Sequence, residues 1–382
     1  MSKSHVPPFA GSKTGVAISQ RLYSLDALRG LDMLLIIGLD RFFKRLTDGI
    51  PGPVMEAFAD QFRHVRWDGF HLYDLIFPLF LFIAGVAAPY SISSRLRKGS
   101  SRQDVLRHIV RRGLILVLLG IIYNNGLKVQ PISEIRFGSV LGRIGLGYMF
   151  ANIIYLYARR WAQLAWFSII LIGYWLILKF NAAPGFPMGD LTMEGNFASY
   201  MDRLIMPGRL YSNNIHDPEG LFSTIPAVAT GLLGIFTGDF LKNSTFSPAS
   251  KAGWMSVAGV VLIILAYIWN IDFPINKNLW TSSFVLCAGG WSLISLALFY
   301  YIIDVKGYRK WSFFLRVVGM NSILIYMSKR FINWGYTNNA MFQWLGQIVG
   351  EPFNDAVMVA TLLFVQWLFL YYCYRNKIFL KV

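Results

Sequence analysis

The sequence predicts an all-α protein that crosses a membrane repeatedly, with about ten transmembrane helices and both termini in the cytoplasm. Its composition is the first observation. Of 382 residues, 55% are hydrophobic and 15% charged, and the mean hydropathy is +0.46. A soluble chain of this size carries about a quarter of its residues as charges. Apolar runs near 20 residues are the second. They recur from end to end, and a helix of that length matches a hydrocarbon layer of ~30 Å. Within lipid every backbone N–H and C=O needs an internal partner, which a helix supplies. The third is the placement of Lys and Arg, which sit mostly in short segments between the apolar runs.

Taken in order, the predicted spans are 24–43, 71–94, 113–128, 137–158, 162–180, 219–239, 253–271, 279–303, 313–331 and 354–374. The second and third are joined by SSRLRKGSSRQDVLRHIVRRG, which holds seven basic residues and one acid. Basic loops stay in the cytoplasm. An even number of spans then returns the C-terminus to the side of the N-terminus. The chain reads as one membrane domain, 24–375, with a cytoplasmic segment 1–23 before it and a tail 376–382 after it. The first apolar run is too long for the core of a cleavable signal peptide. Connections on the opposite side are longer, about 44–70 and 181–218. The second of these is rich in the turn formers Gly, Pro and Asn. The net charge of +16 is spread over the interspan loops rather than gathered on a folded domain, so nucleic acid is not an expected partner. Cys287 and Cys373 both fall in apolar runs, which argues against a disulfide framework and a cysteine metal site.

Ionisable residues inside spans are costly and mark pairing or function. In SLDALRGLDMLLIIGLD, Asp26 and Arg29 are three apart on one helical face, as are Arg29 and Asp32. Asp40 follows near the far side, with Arg41 and Lys44 beside it. Arg143 lies within FGSVLGRIGLGYMF, among glycines that let helices approach closely. Buried there, it needs a carboxylate partner or a bound anion.

The stretch HVRWDGFHLYDLIFPLF, residues 64–80, carries the densest chemistry. A helix over 64–74 would place His64 four residues from Asp68 and His71 three from Asp74. An imidazole oriented by a carboxylate suits a general base or a nucleophile. Asp74 itself is expected to stabilise the start of the second span. No third metal ligand is spaced to join the two imidazoles, so no metal is expected. HDPEGLFSTIPAVATGLLGIFTG brings His216, Asp217 and Glu219 to the mouth of the sixth span, where acids favour the positive end of a helix. INKNLWTSSFVL puts Asn276, Lys277 and Trp280 at the mouth of the eighth.

RLYSLDALRGLDML, HVRWDGFHLYDLIFPLFLFIAGV, IRFGSVLGRIGLGYMFA, DPEGLFSTIPAVATGLLG, INKNLWTSSFVL and GMNSILIYM occur in that order over residues 21–330. Together they resemble the transmembrane acyltransferase family of the heparan-α-glucosaminide N-acetyltransferase type, and most closely its bacterial members. The resemblance implies an integral protein of the bacterial inner (cytoplasmic) membrane. It would take acetyl from cytoplasmic acetyl-CoA and pass it to the amine of a glucosamine-like amino sugar on the other side. It places the active-site histidine at His64, before Trp67, Asp68 and Gly69. Asp68 and Asp40 stand where the family pattern has amides, so the acceptor is expected to differ from heparan. On this resemblance catalysis falls to His64 with Asp40 and Asp68, and the donor's polar parts to Arg29, Arg143 and Asp26. Trp67, His71, His216, Asp217, Glu219, Asn276, Lys277 and Trp280 would shape the acceptor pocket. The expected partners are acetyl-CoA, the sugar or glycan acceptor and membrane lipids, and the Gly-rich faces allow a homodimer. Two other readings stand beside this one: an O-acyltransferase of a cell-envelope glycan, and a transporter of a sugar or lipid precursor.

Overall fold

The computed structural model describes residues 22–50 and 52–380. Residues 1–21 of the predicted cytoplasmic N-terminal segment and the last two residues of the predicted cytoplasmic tail lie outside the described residues. The described residues form fifteen α-helices and no strand beyond isolated bridges. In order they are α1 (Tyr23–Leu34), α2 (Asp40–Asp48), α3 (Pro53–Asp60), α4 (Ile76–Arg97), α5 (Arg102–Asn125), α6 (Val140–Tyr157) and α7 (Arg160–Phe180). After them come α8 (Phe197–Ile205), α9 (Ile225–Lys242), α10 (Pro248–Trp269), α11 (Ser282–Phe299), α12 (Phe313–Met320), α13 (Ser322–Phe331), α14 (Trp334–Val349) and α15 (Asn354–Arg375).

Seven of the described helices are long and apolar enough to cross a membrane: those over Leu72–Arg97, Val140–Tyr157, Arg160–Phe180, Phe222–Lys242, Pro248–Trp269, Ser282–Val305 and Asn354–Arg375. This is an integral membrane protein. The other three predicted spans fall on helices that depart from a simple apolar rod. The first is broken by a π-helical turn, Leu35–Leu39, in which Gly38 takes φ 152°, a conformation open to glycine. The third runs as α5 from Arg102, eleven residues before its predicted start, and its first half carries Arg107, Arg111 and Arg112. Ser101 and Asp104 close its N-terminus as a reciprocal capping box. The ninth is divided at Asn321, whose side chain leaves the helix to bind the backbone of Ile378 and Leu380.

The direction of the helices decides where chemistry can gather. Arg143 meets Ser223, and twelve residues on Tyr155 meets Asp239, so α6 and α9 run parallel. Phe82 and Gly85 pack on Gly234, and Val86 and Pro89 on Gly238, so α4 and α9 are parallel too. Phe70 and Phe284, just before α4 and just inside α11, lie 6.1 Å apart. The starts of α4, α6, α9 and α11 therefore converge on one end of the bundle. The basic turn between Arg97 and Arg102 lies at the other end.

Glycine makes the α4–α9 approach. A Cβ on Gly234 would drive into the backbone carbonyl of Phe82 and the Cα of Gly85, neither of which can swing aside. Gly234→Ala is expected to cost about 1–3 kcal/mol, read as a lower unfolding midpoint in detergent. Gly253→Ala, with open space around its Cβ, serves as the neutral control.

Candidate functional site

The converging helix starts are roofed by three connections, 61–75, 181–224 and 270–281. Residues 64–71 are not helical, so the pairings expected for a helix do not form. His64 meets Asp74 rather than Asp68: Nδ1 lies 2.7 Å from Oδ1. A nitrogen facing a carboxylate at that distance carries the proton, which leaves Nε2 as the accepting nitrogen. Asp74 is buried, at 2% side-chain exposure, whereas His64 is 44% exposed. The backbone N–H groups of His71 and Val65 also donate to Asp74, at 3.1 and 3.4 Å. Asp74 stabilises the start of the second span, as expected. It caps the helical turn Leu72–Leu75, and it also fixes the imidazole.

Asp68 is turned elsewhere. It accepts from the Asn276 side chain at 3.0 Å, while the Gly69 N–H donates to the Ile275 carbonyl at 2.7 Å. These bonds stitch the 64–75 connection to the 270–281 connection and deliver Lys277 to the imidazole. The Lys277 Nζ lies 2.9 Å from Nδ1, 3.2 Å from Nε2 and 3.4 Å from Asp74 Oδ1. Nδ1 has no lone pair to offer once it donates to Asp74, so Lys277 donates to Nε2 and to the carboxylate. Burial pulls the Lys277 pKa below its ordinary value, against the charges of Asp74 and Glu219.

On the other flank the ring of Tyr73 packs 4.6 Å from that of His64, and its hydroxyl faces Asp40. Asp40 is paired with Lys44 at 3.2 Å and reaches the site through Tyr73. Trp67 donates its indole N–H to the Leu191 carbonyl at 2.9 Å and sets its ring 5.3 Å from His216. It therefore holds the 181–224 connection against the site. His71 Nδ1 lies 3.0 Å from the Arg63 carbonyl and makes no hydrogen bond to His64 among the described residues.

A second layer lies below. Arg143, 5% exposed, donates to Ser223 and sits 4.8 Å over the Trp280 ring, whose N–H reaches Thr230 at 3.3 Å. Trp280 has φ 53°, a strained setting for so large a side chain. Phe77, Leu81, Val140, Ile144 and Pro218 join Arg143, Glu219, Lys277 and Trp280 around a narrow cavity beside His64. Arg136, absent from the sequence-derived set, closes the layer. It grips Asp217 through two bonds of 2.9 and 2.7 Å and also binds Glu219. Burial alone would lower its pKa, but these two carboxylates raise it well above the ordinary value. Asp217 and Glu219 are thus held by Arg136 and not, as expected, by the helix end: the helical turn begins only at Phe222, and no acid lies in its first turn.

No family model matches the chain. Two curated proteins do. Heparan-alpha-glucosaminide N-acetyltransferase of Mus musculus is 29% identical over 423 residues, 95% of this chain, and its Homo sapiens counterpart is 28% identical over 424 residues, 96% of this chain. The chain is similar to these two proteins along nearly its whole length. It spans 61% and 60% of their respective lengths.

Arg29 and Asp26 do not join the cluster. They lie 3.7 Å apart on α1, near the end where Asp304 accepts from the N–H groups of Tyr23 and Ser24. That is the far end of α11 from His64. His216 instead belongs to a buried group behind Trp67. Its Nδ1 is 2.7 Å from Ser199 Oγ, and Asp202 accepts from the Phe222 N–H at 2.8 Å nearby. Burial drives the His216 pKa down to about 4 and the Asp202 pKa up to about 6. The two shifts act oppositely on stability. Unfolded histidine takes its proton near pH 6.5, so the His216 contribution falls as pH drops from 6.5 towards 4. Asp202 binds its proton more tightly when folded, so its contribution rises as pH drops through 6 towards 3.8. In Asp202→Asn the unfolding midpoint should therefore fall more steeply than in the wild type between pH 6.5 and 4. Matching slopes would refute the balance.

Proposed function

We propose that the chain is a membrane-embedded acetyltransferase that moves acetyl from acetyl-CoA to the amine of an amino sugar, with His64 as the reacting base. The observation that carries this reading is the His64–Asp74 pair. A half-exposed imidazole is fixed in one tautomer by a buried carboxylate, with Nε2 facing Lys277, which lines the narrow cavity. The two N-acetyltransferase relatives supply the reaction class. In the reaction the amine nitrogen attacks the thioester carbonyl, a C–N bond forms and the C–S bond breaks. Nε2 takes the proton from the amine and returns it to the departing thiolate, so that CoA leaves as the thiol. The approaching carbonyl displaces Lys277 from Nε2. Its cationic form, still beside Asp74, then stands near the oxygen that gains negative charge. Asn276 and Asp68 hold Lys277 in place, Trp67 and His216 hold the 181–224 connection over the acceptor, and His71 and Asp40 support the rim. Arg143, Glu219 and Trp280 line the narrow cavity beside Lys277 and form the polar floor beneath the reacting group.

The donor enters from the end opposite His64, where Arg29 and Asp26 lie near the basic loops. That end is cytoplasmic under the positive-inside bias, and the acceptor is extracytoplasmic. The membrane is a bacterial cytoplasmic one, crossed by a single domain over 24–375 with both termini inside. The test uses purified protein with acetyl-CoA and a panel of amino sugars. Free CoA thiol should appear with at least one amino sugar and no metal added, and mass spectrometry should find an amide. An ester product would move the protein to the O-acyltransferases. Absence of thiol with every acceptor would remove the reading.

A further inference from the structure

A second cavity opens beyond Tyr73 and Asp40, where the π-helical turn passes into α2. It measures about 480 Å³, and every charged side chain lining it is basic: Arg41, Lys329 and Arg330. Asn333, Trp334 and Gln366 complete the working part of its wall. Like charges gathered around one space repel unless something neutralises them. The nearest acid, Asp40, is paired with Lys44.

Two of the cations are anchored by the backbone that the break at Gly38 exposes. Lys329 donates to the Ile36 carbonyl at 3.1 Å and Arg41 to the Ile37 carbonyl at 3.2 Å. An ammonium has three N–H groups and a guanidinium five, so each keeps unused donors. Arg330 makes no hydrogen bond or ion pair among the described residues. Gln366 is 1% exposed, its Oε1 is sealed from solvent without a partner, and its amide makes no hydrogen bond among the described residues. A free guanidinium and an unsatisfied buried amide on the wall of one basic cavity are donors waiting for an acceptor. Trp334 is fixed by its N–H bond to Ser328 at 3.0 Å and offers only its ring.

We propose that this cavity is an oxyanion-binding site that takes a phosphate, sulfate or carboxylate group between Arg41, Lys329 and Arg330. Planar guanidinium groups match such anions through paired N–H bonds. The anion comes either from a soluble ester or from the headgroup of an anionic lipid, since basic pockets between membrane helices hold such headgroups.

The test reads binding and does not depend on acyl transfer. In one arm, inorganic phosphate is titrated into detergent-purified protein at constant ionic strength and the heat is recorded. In the other, unfolding midpoints are compared in phosphatidylcholine nanodiscs with and without phosphatidylglycerol. Wild type should respond in at least one arm, and the responding arm names the source. Arg330→Gln and Arg41→Gln should weaken that response about tenfold or more, whereas His64→Ala should leave it intact. Arg330 makes no structural bond, so its variant should fold. No response in either arm, or one unchanged in both arginine variants, overturns the proposal.

Discussion

His64→Ala is expected to slow acetyl transfer by about 10²–10⁴-fold, the usual worth of a positioned acid–base group, while CoA binding survives. The reason is local. The ring is half-exposed, has a buried carboxylate behind it, and gives its Nε2 lone pair only to the displaceable Lys277. Asp74 is already saturated by His64, by the backbone N–H groups of His71 and Val65, and by Lys277. It cannot take over the role. Lys277, freed of the imidazole, would drift to Asp74. Thiol release in single turnover, together with CoA binding by calorimetry, separates chemistry from affinity. Turnover at the wild-type rate would eliminate His64 as the base and with it the proposed mechanism.

Asp217→Ala should be the most damaging change to the fold near the site. Asp217 is fully buried and Arg136 nearly so, and their two bonds tie the start of α6 to the start of α9 across 81 residues. Removing the acid leaves a guanidinium out of water with only Glu219 beside it. Breaking one side of such a pair costs about 3–5 kcal/mol. The measurement is the unfolding midpoint in detergent, compared with Glu219→Gln, which should lose less because Glu219 is the more exposed partner. A midpoint within a degree of the wild type would show that the pair carries no net load.

The helical membrane architecture was legible because it depends on composition and run length, which are local. What broke the predicted spans was not. Gly38 reads as one more small residue in an apolar run, yet its φ opens a π-helical turn. Asn321 reads as tolerable polarity, yet it divides a helix to serve the backbone of the tail. His64 and Asp74 were each visible, but the rule linking residues three or four apart holds only on a helix. The chain through Gly69, at φ 122°, is not helical and turns back to join residues ten apart. Arg136 was missed because it reads as a loop cation. The signal available was its position just before the fourth span, mirrored by the acids just before the sixth, two starts that parallel helices bring side by side. Arg29 and Arg143 look equivalent as intramembrane arginines, yet their helices enter from opposite ends.

The bundle has one ornate end and one plain end. Where α4, α6, α9 and α11 begin, the connections are long and stitched to one another by side chains; where they finish, short turns suffice. Such a division of labour lets selectivity drift while the frame stands still. The turns of the 181–224 roof that lie outside Asp202, His216, Asp217 and Ser223 can be rebuilt, lengthened or exchanged for another acceptor without moving Asp74 or the helix it starts. A fusion partner grafted into the plain-end turn at 243–247, by contrast, should go unnoticed by the chemistry.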